Sequence, residues 1–238
     1  MTNYALNPAR TERCERLGAE ASPLLVVDDA FADPKALRAE ARRAAWETVK
    51  GAGNHFPGVR APAPAPYGDA VLSLLKAHLA PAFGLEDWGE PEVALRHFSI
   101  VATPPAALSL PQRIPHFDTP DPGQIAVLHY LAEGEFGGTS FYRHRATGFE
   151  RIGPDRFHPY TSRLVAEVKR EGPPSAAYIR GSTAMFEQIG GVDARPNRLV
   201  AYFSNALHSG DVPSDRPLST DPDAGRLSIS TFLRFAAT

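Results

Sequence analysis

Residues 124–144 read QIAVLHYLAEGEFGGTSFYRH. The first eight are an almost unbroken run of branched, aliphatic and aromatic side chains, as a buried strand requires. A short acidic turn follows, and Gly137-Gly138 leads into a second run, GTSFYRH. Glycine supplies the backbone freedom that such a turn needs. The pattern recurs outward: VALRHFSIVA from residue 93, SRLVAEVK from 162, TAMFEQI from 183, RLVAYF from 198 and RLSISTFLRF from 226. Gly, Pro, Asn or Asp separates most of these runs. Short strands at such intervals predict a mainly β fold, a sandwich or barrel, α+β overall.

The N-terminal part has a different rhythm. Residues 1–22 read as a lead-in, and PLLVVD (23–28) as a short buried strand. Asp33 before Pro34 is a good helix start, so PKALRAEARRAAWETV predicts an amphipathic helix over 34–49. The stretch 51–66, GAGNHFPGVRAPAPAP, is too rich in Gly and Pro for regular structure and reads as a loop laid on the core. A second helix is expected over 68–83, with Val71, Leu72 and Leu75 on its core face. We therefore expect one domain, 1–238, with 1–90 supporting a core at 91–238.

Composition narrows the partners. The net charge of -2 gives no broad basic field, so no nucleic acid is expected. No run of about 18 apolar residues exists, so no membrane span is expected. Cys14, the one cysteine, has no internal partner, and the N-terminus lacks the apolar run of a secretory signal. A cytoplasmic protein is the default expectation. Sequence says nothing of oligomeric state.

Three places carry chemistry. In RIPHFDTPDPG, His116 and Asp118 are two apart, so on extended backbone they share a face and Phe117 turns away. By itself such a tripeptide also fits an exposed histidine beside a turn aspartate. His208 follows the strand RLVAYF and a Ser-Asn-Ala turn, at the rim of a sheet; a satisfied core histidine would fit there too. Arg226 and Ser228 share one face of the last strand, while Leu227 and Ile229 share the other. A fork of guanidinium donors beside a hydroxyl suits a carboxylate, although a surface ion pair would also explain the arginine. Two imidazoles and one carboxylate on one side of a metal leave coordination positions open, which is the equipment of non-haem Fe(II) oxygenases. His129 must face away from Tyr130, and His78, His97, His144 and His158 fit no ligand spacing. His55 and Arg60 lie on a loop able to reach a site mouth, so both are candidate substrate contacts.

In order, PHFDTP, IAVLHYLAEGEFGGTSFYR, NRLVAYFSNALHSG and GRLSISTFLRF resemble the 2-oxoglutarate/Fe(II)-dependent dioxygenases, in particular their prolyl-hydroxylase-like branch. The resemblance covers about 93–235. It implies a double-stranded β-helix, or jelly roll, with N-terminal helices packed outside. It implies Fe(II) on His116, Asp118 and His208, with 2-oxoglutarate and O2 as co-substrates. The distal carboxylate of 2-oxoglutarate would lie on Arg226, helped by Ser228 and the hydroxyl of Tyr130. The substrate would be a small molecule or a peptide. One departure is the gap of 18 positions from His208 to Arg226, longer than usual, which an inserted loop explains. Arg216 lies nearer the usual spacing but in that polar loop. Loops around 143–160 and 209–224 are expected to set specificity. The rival readings are a cupin-type Fe(II) enzyme needing no 2-oxo acid and a jelly-roll binding module without catalysis.

Overall fold

The computed structural model describes residues 4–49 and 55–236. It is mainly β, with antiparallel strands in two sheets and few helices. The strands are β1 (Thr11–Leu17), β2 (Ser22–Asp28), β3 (Glu47–Thr48), β4 (Gly58–Pro62), β5 (Glu92–Val101), β6 (Gln124–Tyr130), β7 (Gly138–His144), β8 (Phe186–Asp193), β9 (Arg198–Phe203), β10 (His208–Gly210) and β11 (Arg226–Arg234). The helices are α1 (Pro34–Arg43), α2 (Ala65–Phe83) and α3 (Pro154–Glu171). The large sheet has the order β1-β2-β9-β6-β11-β5-β4-β3, and the small sheet β10-β7-β8.

The two-residue period of the strands sorts their side chains into layers. In β11, Leu227, Ile229 and Leu233 pack with Leu37 and Ala41 of α1 and with Tyr67, Val71 and Leu75 of α2. The alternate residues Arg226, Ser228, Ser230 and Phe232 line a cavity instead. β6 does the same. Ile125 and Val127 face the helices, whereas Ala126 and Tyr130 meet Phe141 of β7 and Val192 of β8 between the sheets. On its other side the small sheet sends Tyr142 and Phe186 against Tyr160 of α3.

Five segments differ from expectation. The strand read at 162–169 is part of α3. Alternation in SRLVAEVK suits either period, and packing decides: Tyr160, Leu164 and Glu167, spaced by four and three, face the protein, while Val165 is exposed. The polar loop expected at 143–160 therefore ends at Gly153, where α3 begins. The first helix stops at Arg43, six residues early. Ala44 turns extended, and the Trp46 indole donates to the Ala41 carbonyl at 2.9 Å, which draws the chain off the helix into β3. Within the stretch 51–66, residues 51–54 lie outside the described residues. Gly58–Pro62 forms β4, in register with β5 from Gly58 opposite Val101 to Pro62 opposite His97. Part of the N-terminal lead-in is a true strand, since β1 pairs with β2 along its whole length. No helix among the described residues is long and apolar enough to cross a membrane.

Candidate metal centre

His116, Asp118 and His208 converge. Each offers one ligand atom, and these atoms lie within 4.8 Å of one another. Backbone pairing brings the histidines together: His116 N–H donates to the His208 carbonyl at 2.9 Å, and His208 N–H donates back at 2.8 Å. β10 also pairs with β7, so His208 sits opposite Phe141. Asp118 is fixed by its own N–H, which donates to the Ser204 carbonyl at 2.8 Å. Its two oxygens then lie 3.9 Å from His116 Nε2 and 3.9 Å from His208 Nε2. Phe117, between His116 and Asp118, turns edge-on to Tyr160.

The protonation states suit a cation. His208 Nδ1 is 2.9 Å from the Ala206 carbonyl, an acceptor, so Nδ1–H donates there and Nε2 is the nitrogen turned toward Asp118. Burial, with His208, Arg60 and His55 nearby, pushes His116 well below the ordinary imidazole range, which favours its neutral ring. Burial raises the Asp118 carboxyl, and His208 and Arg60 oppose that rise. Two imidazoles and one carboxylate crowded without hydrogen bonds to one another could hold a single divalent ion.

The three open into a cavity of about 570 Å³. Arg226 and Ser228 line its wall, as do His55 and Arg60. Arg226 is buried, and among the described residues its hydrogen bonds go to backbone: Nε donates to the Phe136 carbonyl at 2.9 Å and Nη2 to the Gly138 carbonyl at 2.6 Å. Gly137 makes that anchor possible. Its φ is +68°, and a Cβ there would come within 1.6 Å of the Asp211 carbonyl oxygen. Arg216 lies instead in an exposed turn, its guanidinium 5.4 Å from the Phe136 ring centre. The geometry thus brings Arg226, not Arg216, into the cavity.

Tyr130 is buried with its hydroxyl 2.7 Å from Thr139 Oγ1, and it is Thr139 that lines the cavity. Sequence reasoning missed Thr139, Tyr202 and Tyr178. Tyr202 stands on β9 with its ring 4.8 Å from that of His208. Its signal was available, since Tyr202 pairs with Ala126 and so shares the inner face of the sheet. Tyr178 comes from the irregular segment after α3 and has no such signal; its hydroxyl donates to the Thr103 carbonyl at 2.7 Å. His129 lies on the opposite face, as expected, inside a closed network. Its Nε2 donates to Asn197 Oδ1 and its Nδ1 accepts from the Tyr67 hydroxyl, both at 3.2 Å.

A family model described as "Family of unknown function (DUF6445)" matches residues 8–233. No curated protein matches the sequence. Among solved structures, the chain is similar to AviO1 from Streptomyces viridochromogenes Tue57, at 13% identity over 94% of this chain and 89% of that one, with a TM-score of 0.47. It is similar to HygX from Streptomyces hygroscopicus with nickel, 2-oxoglutarate and hygromycin B bound, at 14% identity over 90% and 84%, with a TM-score of 0.45. A third is an N-substituted L-amino acid dioxygenase from Burkholderia ambifaria AMMD, at 14% identity over 91% and 86%, with a TM-score of 0.40.

Proposed function

The chain belongs to the DUF6445 family, of unknown function, and we propose that it is a 2-oxoglutarate- and Fe(II)-dependent dioxygenase acting on a small molecule or peptide. In this reading the two sheets form a double-stranded β-helix of the prolyl-hydroxylase-like branch, and the enzyme works in the cytoplasm. The observation that carries the reading is the convergence of His116, Asp118 and His208 at the wall of a cavity that also holds a buried arginine. Three ligands on one side suit an ion that must keep vacant positions for other molecules. A buried Arg226 with only carbonyl partners supplies what a 2-oxo diacid needs beyond the metal, a cation for its far carboxylate.

Each residue then has a task. His116, Asp118 and His208 hold the metal. The Ala206 carbonyl keeps the His208 ring in the tautomer that presents Nε2. Arg226, with Ser228 beside it, receives the distal carboxylate. Tyr130 acts through Thr139, orienting that hydroxyl toward the cavity. Bound Fe(II) and 2-oxoglutarate supply the oxygen chemistry, in which 2-oxoglutarate is converted to succinate and carbon dioxide as the substrate is oxidised.

Titration calorimetry tests this without knowing the substrate. The wild type should bind one Mn(II) per chain, and 2-oxoglutarate should bind to the metal-loaded form. With Fe(II) in air, succinate should form slowly even without substrate. His116→Ala should lose all three. Mn(II) binding without 2-oxoglutarate binding would favour the cupin-type alternative, and absence of metal binding would favour the binding module. Succinate formation that survived His116→Ala would remove the proposed ligand set.

A further inference from the structure

We infer that Arg60 is the anchor for a carboxylate on the primary substrate, so that the substrate is a small carboxylic acid with an apolar body. The inference rests on the dioxygenase reading, which assigns the other cavity arginine, Arg226, to the co-substrate.

Among the described residues, Arg60 and Arg226 are the two arginines that line the cavity, and no lysine joins them. They differ in how far they are satisfied. The Arg226 fork is tied to two carbonyls. Arg60 Nε is buried and, among the described residues, has no hydrogen-bond partner. Among the described residues no carboxylate pairs with Arg60; Asp118 acts on it only at a distance. Burial of the guanidinium pulls its pKa down, the mark of a charge short of compensation. An unpaired cation in such a place is costly, and an incoming anion relieves the cost.

Its position separates it from the co-substrate end. Arg60 on β4 is in register with Ser99 on β5, and Ser99 with Ser228 on β11. Two strand spacings therefore divide Arg60 from Ser228, about 10 Å across the sheet. One diacid chelated at the metal and held by Arg226 and Ser228 leaves Arg60 free. The Arg60 guanidinium lies 4.3 Å from the centre of the Phe56 ring, which seats it against one wall. Phe56, Pro57, Pro111 and Ile114 line the same cavity, giving an apolar surface beside the cation. The match is a carboxylate attached to an aromatic or aliphatic body.

The test uses paired probes on the full chain. Hippurate and 3-phenylpropionate, each beside its primary carboxamide, are titrated calorimetrically into protein loaded with Mn(II) and N-oxalylglycine, so that Arg226 is occupied. The carboxylates should bind about tenfold or more tightly than their amides. Arg60→Gln should erase that preference while the protein still binds Mn(II) and N-oxalylglycine. Arg60→Lys, which keeps the charge, should retain part of it. Equal binding of acid and amide, no binding by either acid, or a preference that persists in Arg60→Gln would overturn the assignment. So would a large loss of Mn(II) affinity in Arg60→Gln with the preference intact, which would make Arg60 a balance for Asp118. Arg226→Gln protein without N-oxalylglycine provides the separating arm. A preference that survives there belongs to Arg60 whether or not the dioxygenase reading holds, and one lost there belongs to Arg226. Failure of N-oxalylglycine to bind the wild type sinks the dioxygenase reading alone.

Discussion

Arg226 and His129 show how far a single residue can be judged from its partners. Both are buried polar groups on central strands of the large sheet, on opposite faces. Arg226 keeps part of its fork unused and faces a cavity; His129 has every ring nitrogen engaged. The first should matter for binding and the second for stability. Arg226→Lys keeps the charge but loses the planar fork, so 2-oxoglutarate affinity should fall by about 10- to 100-fold with Mn(II) affinity unchanged. Arg216→Ala should leave both unchanged, because that side chain lies outside the cavity. Calorimetry on the two variants decides between the arginines that spacing alone left in competition. For His129, burial pushes the pKa down to about 4. Below about pH 6.5 the unfolded chain takes up a proton that the folded ring refuses, so stability is full above that pH and is lost as pH falls toward 4. His129→Gln can donate to Asn197 and accept from Tyr67 without titrating. Urea unfolding at pH 7 and pH 4 should show the variant losing about 3 kcal/mol less than the wild type over that interval.

At the scale of elements, the β1–β2 hairpin is clamped by a residue far away in sequence. Glu150 is 2% exposed and accepts the backbone N–H groups of Ala19 and Glu20, each at 2.9 Å. Arg143 adds a donor from Nε at 2.8 Å. Gly18 permits the approach: its φ is +62°, and a Cβ there would lie 2.2 Å from Glu150 Oε2. Desolvation raises the Glu150 carboxyl, but the two backbone donors and Arg143 together outweigh it, and the net direction is down. The clamp is therefore present above the usual carboxylate range and is lost as pH falls through the lowered value. Glu150→Gln should cost about 2–4 kcal/mol at pH 7, by loss of charge-assisted bonds, and the gap to wild type should narrow at a pH below the usual carboxylate range. Chemical denaturation at the two pH values measures this. Sequence reading had no access to the hairpin. TERCERL is polar at almost every position, because β1 is an edge strand with one partner and its residues face solvent. An edge strand held by ladder bonds and a distant carboxylate leaves no apolar period to detect. α3 was missed for a different reason, since its alternating leucine, alanine and valine satisfy both periods.

Across the whole molecule, what sequence made legible followed from period and chemistry, and what it hid followed from pairing. β2, β5, β6, β7, β9 and β11 were readable because each buries apolar side chains in a run; β3, β4 and β10 are short pieces defined by neighbouring strands. The candidate ligands were readable as residue types, yet their meeting depends on the bridge between His116 and His208, which no local pattern announces. The same dependence on pairing makes the N-terminal strands indispensable. β2 pairs with β9 through Leu24 to Val27, and β9 in turn pairs with β6. Leu25 and Val27 enter the helix-side core, whereas Leu24 and Val26 enter the core between the sheets. All four are at most 3% exposed. Burial of a Leu or Val contributes about 1.5–3 kcal/mol, so the four supply roughly 6–12 kcal/mol. That equals the whole net stability of an ordinary domain, about 5–15 kcal/mol. Deletion of residues 1–28 also exposes the edge of β9, whose six residues are all buried in the intact sheet, and a long apolar edge invites association. The shortened chain should therefore fail to give a cooperative thermal transition and should elute as aggregate in size-exclusion chromatography. A soluble monomer that still bound Mn(II) and 2-oxoglutarate would mean that β1 and β2 merely decorate a core able to fold without them.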